Sequence, residues 1–228
     1  MKRSQINENI LWAKDLLKRI NFTLPCFAYW TMDEWKEHKE ELERIRSVMQ
    51  GWDVTDYGVN DFEKLGGVLF TIRNGNVYDP TIGTPYAEKI IALKDGQSLP
   101  LHFHYKKTED IINRGGGILA IQLYNAKENY DVDYDSDVVV YRDGLRCVYK
   151  PGEIIKIGVG DSISLTPYMY HLFWALEGAG DLLVGEVSAV NDDNIDNYFA
   201  EKFPRFGDIE EDEAPIVPLC NEYAKWLD

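Results

Sequence analysis

Along the first fifty residues, apolar positions return at roughly helical spacing. Ile6, Ile10, Leu11, Leu17 and Ile20 form one stripe with charged residues on the opposite face, which predicts an amphipathic helix. A second helix is predicted from Thr31, because Thr31 and Glu34 have the spacing of a capping box, in which each side chain takes the other's backbone N–H. Its buried stripe is Trp35, Leu42, Ile45 and Met49, and Gly51 stands where a helix can end. These stripes are read as packing surfaces for the core or a dimer rather than as sites.

From about residue 65 the texture changes to short runs. GGVLFTIRNGNVY reads as a strand, an Asn-Gly turn and a second strand. EKIIALKDG, GILAIQLYNA, DVVVYRDG, EIIKIGVGDSISL, HLFWALEG and DLLVGEVSAV follow, rich in β-branched and aromatic residues and punctuated by Gly, Asp and Asn. Short strands at this spacing predict a mainly β protein, a sandwich or barrel, rather than alternating β-α units. The expected organisation is one domain over 1–228: a helical segment 1–52, a barrel 65–190 and a tail 191–228 packing on the barrel. Within the tail, IEEDEAPIVPL reads as a loop wrapping the body and its EEDE run as a solvated face.

Composition narrows the function. A chain of 228 residues can bury a large core. Its formal charge of −15 disfavours nucleic acid and anionic membranes, since phosphate would be repelled, and suits a neutral substrate or a cation. Cys26, Cys147 and Cys220 are odd in number and far apart, which points away from a disulfide framework and toward inert thiols in a reducing cytoplasm. The N-terminus lacks an apolar signal core and no run reaches membrane-spanning length, so a soluble cytoplasmic protein is expected.

The chemistry concentrates in GQSLPLHFHYKKTEDIINRGG, residues 96–116. His102 and His104 lie two apart, so in extended chain both imidazoles project from one face and can reach one metal ion. A turn through YKKT would bring Glu109 to the same point. A His-x-His pair alone is more often a packing feature; Glu109, the flanking glycines and a further histidine turn the reading toward metal. His171, which opens the apolar run HLFWAL, supplies that third imidazole if a closed barrel makes distant strands neighbours. Three imidazoles and one carboxylate leave two positions of an octahedral site open, which suits a first-row divalent ion that also binds substrate. His38, in EWKEHKEELER, reads as a surface residue.

Gly96, His102, His104, Glu109 and Gly116 match the first cupin motif, G-x5-H-x-H-x4-E-x6-G, without a gap. The second motif is looser: Gly160, Pro167 and His171 occur in order, but the proline is one position late and Ala175 stands where asparagine is common. The resemblance implies a jelly-roll β-barrel with metal in its mouth. PLHFHYKKTEDIINRGGG, GEVSAVNDDNIDNYF and FPRFGDIEEDEAP further resemble the D-lyxose isomerase family of cupins, over most of the chain. That likeness implies a manganese-dependent aldose–ketose isomerase, usually a homodimer, acting on D-lyxose and D-xylulose, with D-mannose and D-fructose as slower substrates. By family pattern His102, His104, Glu109 and His171 would be the metal ligands, although Co, Ni, Fe and Zn accept the same set.

Such a reaction needs a carboxylate to carry a proton between C2 and C1. Glu186 is the first choice, because a charge in the apolar strand LLVGEVSAV is expensive unless it faces a polar cavity; the alternative is an outward, solvated side chain. Glu201 in YFAEKF is the runner-up, from a segment placed to cover the mouth and bind sugar. Lys107 and Lys89 are candidates to stabilise oxyanion charge or bind substrate, and Arg114 and Arg205 to contact sugar hydroxyls. The rival readings are a sugar-phosphate isomerase, an iron dioxygenase and a non-catalytic sugar-binding cupin. The first is disfavoured by the lack of a Walker-type loop or dense arginine cluster.

Overall fold

The computed structural model describes residues 1–192, 195–203 and 208–228. Helix α1 (Arg3–Arg19) buries Ile6, Ile10, Ala13, Leu16 and Leu17, whereas Leu11 falls off the stripe and is exposed. The capping box at Thr31 forms: the Glu34 N–H donates to the Thr31 hydroxyl at 3.3 Å and the Thr31 N–H to the Glu34 carboxylate at 2.7 Å. The second helix, however, breaks into α2 (Met32–Glu37), a 3-10 turn and α3 (Glu43–Ser47). Between Trp35 and Leu42, both fully buried, every residue is charged or histidine, so nothing there packs a continuous helix against the core.

Gly51 does not end a helix but begins strand β1 (Gly51–Thr55), so the sheet starts well before residue 65. All five β1 residues are buried, which erases the alternation that marks a strand. Strands β2 (Gly67–Gly75), β3 (Gly83–Leu93), β4 (His102–His104), β5 (Glu109–Gly116), β6 (Leu119–Ala126) and β7 (Val132–Asp133) follow. Then come β8 (Val138–Arg142), β9 (Leu145–Tyr149), β10 (Ile155–Ile157), β11 (Ser162–Leu165), β12 (Met169–Ala175), β13 (Leu182–Ala189), β14 (Asn197–Phe199) and a last helix, α4 (Tyr223–Leu227). The Asn-Gly pair is not the predicted turn. Asn74 and Gly75 stay in β2, and the chain reverses beyond them through side-chain turns at Asn76 and Asp79.

The strands form two curled antiparallel sheets in orders β1-β2-β3-β13-β5-β11-β8-β9 and β10-β6-β12-β4-β14, the second with β7 as a sixth strand beside β6, giving the mainly β barrel that the short runs predict. Two cores explain the apolar runs. Ile90, Ala92 and Leu183 point to the outer face, where Ile6, Ile10, Trp35, Trp52 and Phe70 pack with the helices. Ile91, Leu93, Leu182 and Val184 point into the barrel with Ile111, Ile121, Ile163 and Phe173. β3 and β13 are therefore buried on both faces, and their side chains read as unbroken apolar stretches. By the same alternation, Lys89 shares the inner face with Ile91, and Glu186 with Val184.

The acidic tail run is exposed, as expected, and three of its carboxylates also hydrogen-bond to α1. Arg3, fully buried, donates to Glu211 at 2.8 Å and to Glu222 at 2.7 Å. Ser4 donates to Asp212 at 2.7 Å and Asn7 to Glu213 at 2.6 Å. The tail thus clasps the first turns of α1 and then runs beside β1, where the Cys220 N–H donates to the Trp52 carbonyl at 2.8 Å. All three cysteines are free thiols. Among the described residues no helix is long and apolar enough to cross a membrane.

Candidate active site

The barrel brings the expected histidines together by strand pairing. β12 lies beside β4 with His171 opposite His102 in register. Phe103, between the two histidines, points away into a cluster with Tyr105, Tyr170 and Tyr198. Glu109 opens β5 across the turn, and the sharp bend that closes this strand is held by Asn113. Its amide donates to the Gly117 and Ile157 carbonyls and accepts from the Gly115 N–H, each at 3.0 Å. Gly116 sits at φ +84 with the Asp181 carbonyl where a Cβ would be, so only glycine fits there.

Ring orientation is set by the backbone. The His102 Nδ1 lies 2.8 Å from the Pro100 carbonyl and the His171 Nδ1 3.0 Å from the Met169 carbonyl, so each Nδ1–H donates outward and each Nε2 turns a lone pair inward. The two Nε2 atoms are 3.1 Å apart. Two facing lone pairs at that distance repel unless a cation lies between them. A proton does not fill that role at neutral pH. Burial, with the neighbouring histidines, holds His102 well below its ordinary range, and burial brings His171 down to about 4. Neighbouring ligands at right angles around an ion with bonds of about 2.1 Å stand about 3.0 Å apart, so the pair fits a divalent metal. The ligating atoms of His102, His104 and His171 all lie within 4.8 Å of one another.

Glu109 is 3.3 Å from the His104 Nε2 and 3.2 Å from the His171 Nε2. Burial alone would push its carboxyl up, but Lys107 and the histidines outweigh it and hold it well below the usual carboxylate range. The Lys107 ammonium donates to Glu186 at 2.8 Å and to Asn191 at 3.1 Å, and lies 2.9 Å from Glu109. Lys89 reaches within 3.8 Å of the same Glu186 oxygen. Lys89, Lys107, Glu109 and Glu186 are all buried, two cations against two anions, which is the condition under which buried charge is tolerated.

Other expected contributors are elsewhere. Glu201 is exposed and lines a separate surface groove with Tyr130, Tyr170 and Tyr198. Arg114 is exposed on the outer side of β5, stacked over Gly185 and directed away from the barrel interior. Arg205 lies outside the described residues. His38 stacks on Trp30 at 4.4 Å, remote from the cluster, as a surface histidine should.

Five contributors were not foreseen. Asn191 accepts from Lys107, and Asn74 holds it in place by accepting its N–H at 3.0 Å. Asp196 accepts the Lys106 and Lys107 N–H groups at 2.8 and 3.2 Å, shaping the turn from which Lys107 projects. Phe199 lies over His102 with ring centroids 5.5 Å apart, and Tyr57 packs on it at 5.8 Å. The only signal for Asn191 and Asp196 was the polar run NDDNIDN after an apolar strand, and such a run equally describes a solvated loop.

Comparison with known proteins gives a consistent picture. The family model described as D-lyxose isomerase matches residues 1–223. A D-lyxose/D-mannose isomerase of Escherichia coli O157:H7 is 43% identical over 227 residues, 99% of this chain and 100% of that protein. One from Serratia proteamaculans is 41% identical over 228 residues, 100% of each. Among solved structures, a point mutant of the L-ribose isomerase of Acinetobacter sp. DL28 bound to L-ribose superposes with a TM-score of 0.58 at 14% identity, covering 92% of this chain and 98% of that one. That of Geodermatophilus obscurus gives 0.56 at 17%, covering 92% and 98%. At these identities the structural likeness speaks for the fold.

Proposed function

Because the chain belongs to the D-lyxose isomerase family and is an aldose–ketose sugar isomerase, we propose that it interconverts D-lyxose with D-xylulose, and D-mannose with D-fructose. The names of both curated relatives support these aldoses. The observation that carries the site assignment is the pair of Nε2 atoms 3.1 Å apart, beside an ionised Glu109. In this reading His102, His104, His171 and Glu109 hold a divalent ion, with manganese the family's choice. The ion supplies Lewis acidity that makes the C2 proton of an aldose removable.

The chain's own residues do the rest. Glu186 takes the C2 proton on its carboxylate and returns it to C1, while the hydroxyl proton moves from O2 to O1. Lys107, 2.8 Å from Glu186, orients that carboxylate through a charge-assisted hydrogen bond. Lys107 and Lys89 present ammonium groups to the oxygen charge of the enediolate, in a buried site where such charges act at full strength. Their two positive charges cancel Glu109 and Glu186, so a bound divalent ion leaves net positive charge for the anionic intermediate. Phe199 and Tyr57 shield the site from water. A homodimer, which rests on the family resemblance, and a cytoplasmic setting, which rests on the cysteine pattern and the N-terminal sequence, complete the proposal.

Proton NMR of D-lyxose in heavy water, with metal-stripped protein before and after manganese, tests this directly. D-xylulose should appear only with metal and vanish in His104→Ala, with deuterium entering at C1 or C2. Stoichiometric bound metal without turnover of any pentose or hexose would remove the lyxose assignment.

A further inference from the structure

The cavity directly over the histidines is small, about 40 Å³. At about 10–15 Å³ per water position, that is room for about three waters, enough for the reacting end of an open-chain sugar but not for the rest of it. A second cavity, about 180 Å³, adjoins it and shares Leu69 and Lys89 as walls. Asp53, Thr71, Asn74 and Asn191 line its polar side.

Strand geometry explains why these groups converge. Trp52 and Val54 point to the helix side of β1, so Asp53 between them faces the barrel. Phe70 and Ile72 likewise point to the helices, leaving Leu69 and Thr71 on the inner face of β2. In register, Thr71 lies opposite Lys89, and Lys89 opposite Glu186. A polar stripe therefore runs across the inner wall from the site to the edge of the sheet, in positions that elsewhere carry Ile91, Val184 and Ile111. Asp53 and Thr71 are only 3% and 8% exposed. Both line the second cavity, where their side-chain oxygens can meet a ligand.

We propose that this second cavity is the subsite for the sugar's distal hydroxyls, with Thr71 and Asp53 reading the end of the chain and so setting the preference between five- and six-carbon substrates. The proposal rests on the isomerase reading above. The alternative path, toward the groove beside Glu201, shares only apolar Leu99 with the histidine cavity, and Phe199 stands over His102 on β14, the strand leading to that groove. Hydroxyls leaving the site in that direction would first meet Leu99 and Phe199; toward Thr71 they meet oxygen.

The test measures kcat and KM for D-lyxose and D-mannose in the metal-loaded wild type, Thr71→Val, Asp53→Asn, Thr71→Ser and Glu201→Gln. A lost hydrogen bond in a buried site should raise KM about tenfold in the first two variants, more for D-mannose than for D-lyxose, with kcat and bound metal nearly unchanged. Thr71→Ser, which keeps the hydroxyl, should stay within about twofold of wild type. Crystals of the wild type soaked with D-fructose should place O5 and O6 within hydrogen-bond distance of Thr71 or Asp53, a readout independent of how any variant folds. Unchanged KM in both variants, a loss confined to Glu201→Gln, or distal atoms found in the groove beside Glu201 would overturn the subsite while leaving the isomerase intact. A wild type inactive on both sugars would instead overturn the isomerase reading, and the subsite with it.

Discussion

Glu186 is a buried carboxylate with an ammonium at 2.8 Å and another at 3.8 Å, on a strand whose preceding inward side chains, Leu182 and Val184, are apolar. Replacing it by glutamine keeps the shape and removes only the capacity to hold the proton. In Glu186→Gln, kcat should fall about 10²–10⁴-fold with metal content unchanged; a loss below about tenfold would move the base elsewhere. The histidines make a second test. His171 is brought from 6.5 to about 4, and His102 is held well below 6.5, in both cases chiefly by burial. In metal-stripped protein the unfolded chain therefore binds more protons than the folded one between these values. Stability present above pH 6.5 should be lost as pH falls toward about 4, and Glu109, also held low, adds to the loss further down. Urea midpoints of the stripped protein at pH 7.5 and 5 should differ in that direction, and His171→Gln should shrink the difference.

Elements were legible from sequence where one chain segment carried its own signal. The His-Phe-His alternation of β4 and the capping box of α2 needed nothing from the rest of the molecule, and both occur. The signals failed where tertiary partners decided. β1 hid because both faces are covered, and Asn74-Gly75 looked like a turn although Asn74 spends its amide on the Val48 and Asn191 carbonyls. The EEDE run is exposed as it reads, but its bonds to Arg3, Ser4 and Asn7 had no local signal, because those partners lie some two hundred residues away. That clasp has a measurable strength. Arg3→Met would strand the carboxylate of Glu222, itself nearly buried, and removing one member of such a pair costs about 3 kcal/mol. The urea midpoint should drop accordingly while kcat at 25 °C in the folded enzyme holds. A cost under about 1 kcal/mol would mean that the clasp is worth no more than an exposed ion pair.

At the scale of the whole molecule, the site is a property of the closed barrel. His102, His104 and His171 stand on the six-stranded sheet, while Glu109, Glu186 and Lys89 stand on the eight-stranded one. This division explains what the sequence could disclose. His102, His104 and Glu109 sit within one short segment and were readable as a ligand motif, and His171 needed only the inference that the barrel closes. Thr71, Asp53, Asn191 and Asp196 reach the site from other strands and loops, with no spacing to announce them. Donors split between two sheets converge only in the folded state, so an ion held by them would bind the native protein and not the unfolded chain. At about a thousandfold excess over the dissociation constant such binding adds about 4 kcal/mol, or about 10 °C in melting temperature for a chain of this size. Manganese added to the stripped protein should produce that increment in the wild type and equally in Arg3→Met, whose melting starts lower because the clasp is broken. In His171→Ala the increment should disappear even if the starting point is unchanged. If the increment survives in His171→Ala, the ion is held elsewhere and the four-ligand assignment fails, whatever the enzyme's activity.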